Sequence, residues 1–531
     1  MTALTPPPPL GPGQPVPVAD LGRAASSVTS HLGGDVAIDH ALVDRLRQVC
    51  TSVHTEDEIR VEAGRDWWPL AVSWAVNGEV PALPAVVARP GSAAEVAAVI
   101  NVCREAQVPV TPAAGRSGVC GGAVPVFGGV ALDLCGLNGI IAVDDVSLVV
   151  DVAAGTFGDH LEAQLRQHGL TLGHWPQSIA MSTVGGWLAC RSAGQYSTRY
   201  GKIEDMIVGL EVALTDGRVI RTGGAGPRSA SGPDLNQVFV GSEGTLGVIT
   251  QARLRVHPMP EAERRAAYSF HTFAAGLEAC RHILRRGATP AVLRLYDGPE
   301  SRRSFDVDDR CVLLALDEGD PVLVDATMAV VADECISGQA ASGQAASGEG
   351  TSAQVADPAL VERWLAHRNE VTSLEALAHG GVVADTIEIA APWRVLAELY
   401  DEAVAALGAL PATIAASAHQ SHAYTDGACL YFTFAGVAKG ADAPAWSPGR
   451  ADEYYRQAWD AVLAVTLACG GSLSHHHGVG LNRGRHLPAA LGTGFAVLAR
   501  LKAALDPDGI LNPGKLGLTS PFGPPPWPSG G

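Results

Sequence analysis

Three glycine-rich segments interrupt the first half of the chain, at 112–122, 182–187 and 241–249. Each stands beside a predicted strand or helix start. Glycines permit positive φ angles and expose consecutive N–H groups, and such a backbone nest can bind a pyrophosphate without basic side chains. A plain glycine-rich turn explains the first segment equally well. Three such segments at this spacing are hard to explain by packing alone, and together they favour a ligand site.

Residues 84–258 alternate between strand-like and helix-like patterns. Ser92 precedes apolar residues at helical spacing, which predicts an N-cap for a helix over 93–107. The remaining predictions are strands at 108–111, 130–134 and 148–152, a helix at 157–168, and a hairpin formed by 207–214 and 218–222. This order of elements predicts an α+β domain. No G-x-G-x-x-G segment follows a predicted strand here, so a Rossmann dinucleotide site has no support.

The second half of the chain carries longer helical patterns, at 274–286, 392–407 and 487–506. Proline-rich ends and a Ser-Gly-Gln-Ala-Ala repeat mark segments that are unsuited to a packed core. The predicted organisation is a disordered Pro-rich start (1–20), an N-terminal helical segment (21–83), a first domain (84–258), a second domain (259–482) with a flexible insertion (337–352), a C-terminal helix that returns to the first domain (483–516), and a disordered tail (517–531).

Composition excludes several classes of protein. The formal net charge of −18 argues against nucleic acid as a partner. The ten cysteines occur singly, with no C-x-x-C pair that would suggest a zinc ribbon or a dithiol centre. No apolar run approaches the roughly eighteen residues of a membrane helix, and the first residues lack the pattern of a signal peptide. We therefore expect a reduced, cytoplasmic protein.

A histidine run in the last quarter of the chain has the sequence Gly-Ser-Leu-Ser-His-His-His-Gly-Val-Gly, at 471–480. Imidazole titrates near neutrality and can transfer protons. The run alone is compatible with a metal site, a proton-transfer site or a surface loop. Three imidazoles between glycines contribute little to packing, so we favour a functional role for His475, His476 and His477.

The glycine segments, above all Gly-Ser-Glu-Gly-Thr-Leu-Gly-Val-Ile at 241–249, resemble the FAD-binding domain of the vanillyl-alcohol-oxidase (PCMH-type) superfamily. The resemblance extends from about residue 84 to 515. It implies an α+β, two-domain flavoprotein with a split FAD-binding domain and an α+β cap domain that starts at 259. Some members of the superfamily tether FAD through a histidine of the first segment. That segment has Arg116 and Ser117 and no histidine here, so we expect non-covalent FAD.

The resemblance assigns cofactor contacts to each segment. The first would wrap the pyrophosphate, through Pro112, Gly115, Arg116, Ser117, Gly118 and Val119. The second, together with Gln177 and Ser178 just before it, would lie along the isoalloxazine and ribityl groups, through Ser182, Thr183, Gly185 and Gly186. The third would close over the cofactor, through Glu243, Gly244, Thr245, Gly247, Val248 and Ile249.

Two branches of the superfamily match the later motifs. D-2-hydroxy-acid dehydrogenases have histidines and a glutamate that look like ligands of a divalent metal. Here Tyr431, Ala428 and His476 replace three of the expected ligand residues, so we expect no metal. The motif Ser-His-His-His-Gly-Val-Gly is instead similar to alkylglycerone-phosphate synthase, an ether-lipid enzyme.

The synthase resemblance implies a role for each catalytic candidate. Tyr431 would be the acid/base group at the carbon beside a ketone, although a phenol whose pKa is about 10 needs its anion favoured by neighbours. His476 and His477 would transfer protons, and His475 would orient the loop. His174 would lie near the flavin, and Arg294 would order the site or bind an anion.

Two activities therefore remain open. One is exchange of an acyl group for a fatty alcohol on acyl-dihydroxyacetone phosphate, and the other is FAD-dependent oxidation of a 2-hydroxy acid or another alcohol. A flavin-binding protein without activity is the third, less favoured, alternative. The synthase pattern has a phosphate-binding arginine where 372–379 has none, and Arg368 is the nearest upstream. We expect a small-molecule lipid or hydroxy-acid substrate, and we consider peripheral membrane contact and a homodimer.

Overall fold

The structure is a computed structural model that describes residues 10–16, 20–34, 36–223, 226–336, 353–370, 373–438, 446 and 449–528. The flexible insertion predicted at 337–352 lies outside the described residues, as do 1–9, 17–19 and 529–531 of the two ends predicted to be disordered. Among the described helices, none combines the length and the apolar character needed to cross a membrane.

The first domain is built on two sheets. The four-stranded sheet has the order Ser52–His54, Val86–Arg89, Val130–Asp133, Val110–Ala113. The five-stranded sheet has the order Val219–Arg221, Ile207–Ala213, Val248–Arg255, Val149–Ala153, Ile140–Asp144. Its helices are His40–Val49, Asp57–Ala63, Pro69–Ala75, Ala93–Glu105, Gly158–Gln167, Val184–Cys190, Ser197–Tyr200, Ile203–Met206 and Asn236–Phe239. The helix that follows Ser92 buries Val96, Val99 and Ile100 in a core shared with strands of both sheets.

The second domain is built on one mixed-length antiparallel sheet of seven strands. Its order is Gln354–Ala356, Ala262–Phe270, Cys311–Gly319, Val292–Tyr296, Thr413–Ala423, Gly427–Val437, Val382–Pro392. Its helices are Phe273–Arg285, Gly298–Phe305, Pro321–Ile336, Ala359–His367, Ser373–His379, Trp393–Gly408 and Arg450–Ala468. Phe432 and Phe434 alternate with less buried residues on the same strand and join the main apolar core, as a period of two requires. Two short pairs, Thr29–Ser30 with Glu79–Val80 and Leu170–Thr171 with His257–Pro258, complete the strands.

The C-terminal segment lies against the first domain. Val110 donates its N–H to the Ile510 carbonyl at 2.8 Å, and Asn512 donates to the Val110 carbonyl at 2.8 Å. The buried Lys502 ammonium donates to the Thr245 carbonyl at 2.9 Å. These bonds hold the end of the chain beside the first and third glycine segments.

Most predicted elements are present within a few residues of their predicted bounds. Ser92 is an N-cap, with its hydroxyl accepting from Glu95 N, and the helix it begins ends at Glu105. The single helix predicted over 487–506 is wrong. It is divided into Leu487–Leu491 and Phe495–Leu505 by a 3₁₀ turn, because Gly492 has a φ of 53° that an α-helix does not allow.

The ends of the chain differ from the predicted disorder where the structure describes them. Gly11 accepts a hydrogen bond from His160 Nε2 at 2.8 Å. Trp527 is 5% exposed and packs edge-on against Trp68 and Trp74, so the predicted disordered tail is wrong for this part. Burial of a large indole offsets the ordering of a proline-rich segment. The segment 21–83 also contributes a strand, Ser52–His54, to the first sheet.

Candidate active site

A cavity of about 630 Å³ lies between the two domains. The glycine segments form one wall, and strands of the seven-stranded sheet together with the histidine run form the other. The predicted cofactor contacts that line it are Pro112, Gly115, Arg116, Ser117, Gly118, Val119, Gln177, Ser178, Ser182, Thr183, Gly185, Gly186, Glu243, Gly244, Gly247, Val248 and Ile249. Of the catalytic candidates, Tyr431, His476, His477 and Arg294 line it.

The glycine segments approach one another too closely for side chains. Gly244 has a φ of +73°, and a Cβ on it would lie 2.4 Å from Pro112 Cγ. A Cβ on Gly115 would lie 2.2 Å from the Met181 carbonyl oxygen. Glycine at these positions therefore allows the three segments to lie close together, and at Gly244 it also allows a positive φ.

The cavity wall fits a polar, extended cofactor. The Thr183 hydroxyl is buried and has no hydrogen-bond partner among the described residues, and it stands at the N-terminus of the helix Val184–Cys190. Gly186, in the first turn of that helix, leaves the wall open because a Cβ there would meet only Thr183 Oγ1, at 3.4 Å. An unsatisfied hydroxyl at this cavity suits FAD, which would provide acceptors along its length.

Glu243 and Thr245 have other partners in the third segment. The Glu243 carboxylate accepts from the backbone N–H groups of Val479 and Gly480, at 2.6 and 2.9 Å. Burial raises the pKa of Glu243. Thr245 does not line the cavity, and its hydroxyl donates to the Ser242 carbonyl at 2.7 Å. These two residues hold the third segment and the histidine loop in position.

The histidine run is held from beneath by Glu388. Its carboxylate accepts from Ser474 Oγ at 2.7 Å, from His475 N at 2.5 Å and from His477 N at 2.8 Å, and pairs with Arg483 at 3.0 Å. Glu388 and Arg483 are both fully buried. Burial by itself raises the pKa of Glu388, but Arg483, the neighbouring imidazoles and Ser474 hold that pKa at about 2.

Tyr431 lies directly opposite Glu388 on the neighbouring strand. Its hydroxyl is 2.5 Å from His476 Nε2 and 3.4 Å from His477 Nε2. Burial raises the pKa of Tyr431 well above its usual value, lowers that of His476 well below its own, and lowers that of His477 to about 4. At neutral pH a neutral phenol therefore faces neutral imidazoles, which can accept its proton.

Arg294, His419 and Glu300 form a hydrogen-bonded series of side chains at the cavity, with His419 in the middle. Its Nε2 accepts from Arg294 at 2.7 Å, and its Nδ1 donates to Glu300 at 2.6 Å. The His419 ring stacks on Tyr431, with centroids 4.9 Å apart and planes 12° apart. Arg294 Nε is buried without a hydrogen-bond partner in the described chain. The site therefore offers a cationic group that bonds the imidazole stacked on Tyr431.

Three residues of the site, Glu388, His419 and Glu300, were not predicted from the sequence. Glu388 stands alone among apolar residues of a strand, and an isolated carboxylate in such a run is a signal that could have found it. His419 shares its strand with the motif residue His422, three positions later, which also lines the cavity.

Three other candidates lie away from the cavity. His174 is fully buried behind the wall, 3.3 Å from Ser192 Oγ, and burial lowers its pKa to about 3. His475 contacts Tyr424 and His476 rather than the cavity. The Arg368 guanidinium lies over the Tyr196 and Trp364 rings, at 5.0 and 5.5 Å from their centroids.

Two groups of donor atoms lie close enough together to bind a metal ion. Ring nitrogens of His422, His475 and His476 lie within 4.8 Å of one another, as do donors of Glu388, Cys429 and His476. By distance either group could hold an ion. The nearby Lys202 ammonium lowers the pKa of all three imidazoles of the three-histidine group beyond the effect of burial. That positive charge disfavours a divalent cation.

Comparisons with known proteins agree with this architecture. Residues 84–223 match the FAD binding domain family, and residues 259–516 match the C-terminal domain of FAD linked oxidases. The uncharacterized FAD-linked oxidoreductase YgcU of Escherichia coli is 30% identical over 82% of this chain and 89% of its own length. The two family models cover the first two glycine segments and the histidine run.

Named enzymes occur among the similar proteins. Alkyldihydroxyacetonephosphate synthase of Dictyostelium discoideum is 30% identical over 83% of this chain and 74% of its own length. Glycolate oxidase subunit GlcD of Bacillus subtilis is 28% identical over 84% of this chain and 92% of its own. A solved alkyldihydroxyacetonephosphate synthase structure superposes with a TM-score of 0.74 at 25% identity, covering 94% of this chain and 89% of that one.

Proposed function

The chain belongs to the FAD-linked oxidase family, whose cofactor is FAD, and we propose that it exchanges the acyl group of an acyl-dihydroxyacetone phosphate for a fatty alcohol. The contact between the Tyr431 hydroxyl and His476 Nε2, at 2.5 Å on the cavity wall, carries the proposal. A hydroxyl held this close to a neutral imidazole is arranged for proton transfer rather than for packing.

The residues of the two walls have different roles: one wall holds the cofactor, and the other transfers protons and binds the substrate. FAD held by the glycine segments would supply the electron-deficient ring system that the exchange needs. Tyr431 takes a proton from the carbon beside the ketone while its own proton passes to His476. His477 is a second acceptor for the same hydroxyl at 3.4 Å, and it returns protons to the leaving acid or takes them from the incoming alcohol. Arg294 attracts the anionic part of the substrate.

A second candidate function is oxidation of a 2-hydroxy acid or another alcohol. Arg294 supports it, because a half-buried guanidinium whose buried Nε has no hydrogen-bond partner among the described residues suits a carboxylate as well as a phosphate. The same Tyr431–His476 pair would accept the proton of the substrate hydroxyl. One relative, glycolate oxidase subunit GlcD of Bacillus subtilis, has a name that describes oxidation of a 2-hydroxy acid.

One paired experiment separates the two functions. Flavin absorbance is followed without oxygen against a panel of 2-hydroxy acids, and exchange of labelled hexadecanol into palmitoyl-dihydroxyacetone phosphate is measured in parallel. We expect exchange with no lasting loss of flavin absorbance. Loss of absorbance with one hydroxy acid, without any exchange, would establish the oxidoreductase and reject the synthase proposal.

The setting of the protein is part of the proposal. A long-chain substrate favours peripheral contact with a membrane surface, and we also propose a homodimer and a cytoplasmic location. Flotation with phosphatidylglycerol vesicles and sedimentation equilibrium measure the first two properties. A monomer that stays with the soluble fraction would contradict both.

A further inference from the structure

Three aromatic rings stack across neighbouring strands of the seven-stranded sheet. Tyr296 lies directly opposite His419, and His419 lies directly opposite Tyr431. The centroid of the His419 ring is 5.3 Å from that of Tyr296 and 4.9 Å from that of Tyr431. Neighbours on both faces, with an exposure of only 8%, hold this ring in one plane. Its two nitrogens therefore meet their partners at the edge of the ring.

The edge contacts of His419 determine which nitrogen carries the proton. A guanidinium has donors and no acceptor, so the Nε2 atom, 2.7 Å from Arg294, is the bare nitrogen. Burial lowers the pKa of His419, so the ring is neutral at neutral pH and its single N–H is on Nδ1. That N–H donates to Glu300 Oε2 at 2.6 Å. His419 thus presents a donor to Glu300 and an acceptor to Arg294.

The other oxygen of Glu300 is occupied by three donors. Oε1 accepts from Thr433 Oγ1 at 2.7 Å and from Ser417 Oγ at 3.2 Å, and it pairs with Arg303 at 3.1 Å. Glu300 is only 2% exposed. Because Arg303 can only donate, this position requires an oxygen. Oε2 is left to hold the proton of His419 on Nδ1.

Arg294 depends on this arrangement for its direction. Its guanidinium lies over the Tyr296 and Trp364 rings, 5.3 and 5.8 Å from their centroids. Such ring contacts attract the cation without fixing where its N–H groups point. The hydrogen bond to His419 Nε2 supplies that direction, and Arg294 lines the cavity.

We propose that Glu300 is a positioning residue, which acts through the tautomer of His419 to aim the Arg294 guanidinium at the anionic group of the substrate. The Glu300 carboxylate keeps the His419 proton on Nδ1 and leaves Nε2 free to accept from Arg294. A proton on Nε2 instead would set two donors against each other, and Arg294 would turn away from His419. Glu300 itself does not line the cavity, so it acts through its neighbours.

The inference rests on the proposed exchange reaction, which uses one anionic and one neutral substrate. In Glu300→Gln the amide oxygen faces Arg303, so the amide N–H group faces His419 Nδ1 and moves the proton to Nε2. In steady-state kinetics of the FAD-loaded protein, we expect the KM for palmitoyl-dihydroxyacetone phosphate to rise about tenfold or more, as for loss of a hydrogen bond to a charged group. The KM for hexadecanol and the FAD content should stay at their wild-type values. A merely structural role would raise both KM values together and would overturn the inference.

A double-variant cycle tests whether Glu300 acts through His419. His419→Ala alone should raise the KM for the ketone phosphate, and Glu300→Gln added to it should cause no further rise. Effects of the two changes that multiply would overturn the inference, as would an unchanged KM for the ketone phosphate in Glu300→Gln. If Glu300→Gln does not retain FAD, Glu300→Asp withdraws the carboxylate from His419 and should give the same split between the two KM values.

The matched control is Glu162→Gln, which changes an equally buried carboxylate of the first domain. Glu162 is 2% exposed and accepts from Thr171 Oγ1 at 2.9 Å, and its variant should keep both KM values. A wild-type protein without exchange activity would overturn the proposed function. The affinity for glycolate, measured by the change in flavin absorbance, then replaces the KM, and an unchanged Kd in Glu300→Gln would overturn the positioning role.

Discussion

Tyr431 is placed to transfer a proton without becoming a stable anion. The role predicted for Tyr431 needs neighbours that favour its phenolate form. In the fold, burial raises the pKa of Tyr431 most, and Cys429 and Glu388 raise it further. Arg294 and Arg483 lower this pKa only in part. The neutral His476 provides an alternative, because it accepts the proton as the hydroxyl receives another. Tyr431 and His476 therefore act together in the proposed proton transfer.

Tyr431→Phe tests this role directly, because it keeps the ring and removes only the hydroxyl. FAD content and thermal stability should remain close to wild type, since the volume of the strand is unchanged. Turnover should fall by about 10² or more, in the range of lost general acid–base catalysis. Steady-state kinetics of Tyr431→Phe, His477→Ala and the double variant provide the measurement. A double variant that loses less than the product of the two singles places both residues on one proton path. Near-normal turnover of Tyr431→Phe would leave the tyrosine a core residue.

Glu388 supports the histidine run through a carboxylate charge that the fold stabilises. Its pKa is held at about 2 in the fold, against an ordinary value of 4.5, so it stabilises the fold above pH 4.5 and the contribution disappears as the pH falls toward 2. Breaking the buried pair with Arg483 through Glu388→Gln should lower the free energy of unfolding by about 3 kcal/mol at pH 7.

Urea unfolding of wild type and Glu388→Gln between pH 7 and pH 3 checks this prediction. The difference between the two proteins should shrink as the pH drops below 4.5. Glu402→Gln, on an exposed face of the helix Trp393–Gly408, is the matched control and should change little. A difference that does not vary with pH would show that the Glu388 charge is not what holds the run.

At the scale of elements, the three glycine segments form one wall of the cavity and lie in close contact with one another. The first and third meet at Pro112 and Gly244, and the third is joined to the histidine loop through Glu243. A change in one segment therefore reaches the other wall of the cavity. The histidine loop depends in turn on the strand Val382–Pro392, which carries Glu388.

Gly244→Ala should loosen FAD binding, because its Cβ would overlap Pro112 and displace the first segment. Gly217→Ala is the control, because Gly217 has a similar φ of +83° and open space around it. Titration of each apoprotein with FAD, followed by flavin fluorescence, should show an affinity at least tenfold weaker for Gly244→Ala and unchanged for Gly217→Ala. Equal affinities would show that contact between the segments does not shape the site.

At the scale of the whole molecule, the cavity exists only because two domains face each other. The first domain supplies the surface for FAD, and the seven-stranded sheet supplies Tyr431, His419 and Arg294 from three neighbouring strands. The buried C-terminal segment bonds to the first domain, through Lys502 to the Thr245 carbonyl and through Asn512 to the Glu243 carbonyl. The small-molecule substrate must enter between the two walls.

The purified protein should be yellow and should release intact FAD on acid or heat precipitation. The reason is that the first glycine segment, at 112–122, has no histidine to form a covalent link. The absorbance spectrum of the supernatant after precipitation measures the released flavin. Flavin that remains with the pellet would contradict non-covalent binding.

Metal removal should leave activity unchanged, because Tyr431, Ala428 and His476 replace expected ligand residues and the Lys202 ammonium lies near the three-histidine group. Dialysis against EDTA, followed by assay and by metal analysis of the untreated protein, is the measurement. Activity lost on chelation and restored by zinc or manganese would assign the histidines to a metal centre instead. As a control, FAD that stays bound after chelation shows that the protein is still folded.

The sequence by itself determined the features whose signals are local. A serine before an apolar helical pattern predicts a cap, and glycines at fixed spacing predict loops that form a ligand wall. The motifs around Tyr431 and His475–His477 predicted residues that the fold brings together, although His174 and His475 lie behind the cavity wall. Helix ends that depend on one backbone angle, such as that at Gly492, were less predictable.

Only the tertiary structure decided how those residues are charged and supported. Glu388 is 87 residues from the first histidine it holds, and Glu300 is 119 residues from His419. Partners this distant in sequence leave no local pattern, yet in a buried site they decide which groups are neutral. Burial of Trp527 follows the same rule, because its partners Trp68 and Trp74 lie at the other end of the chain. The chemistry of Tyr431 therefore depends on burial and contacts that the sequence alone does not show.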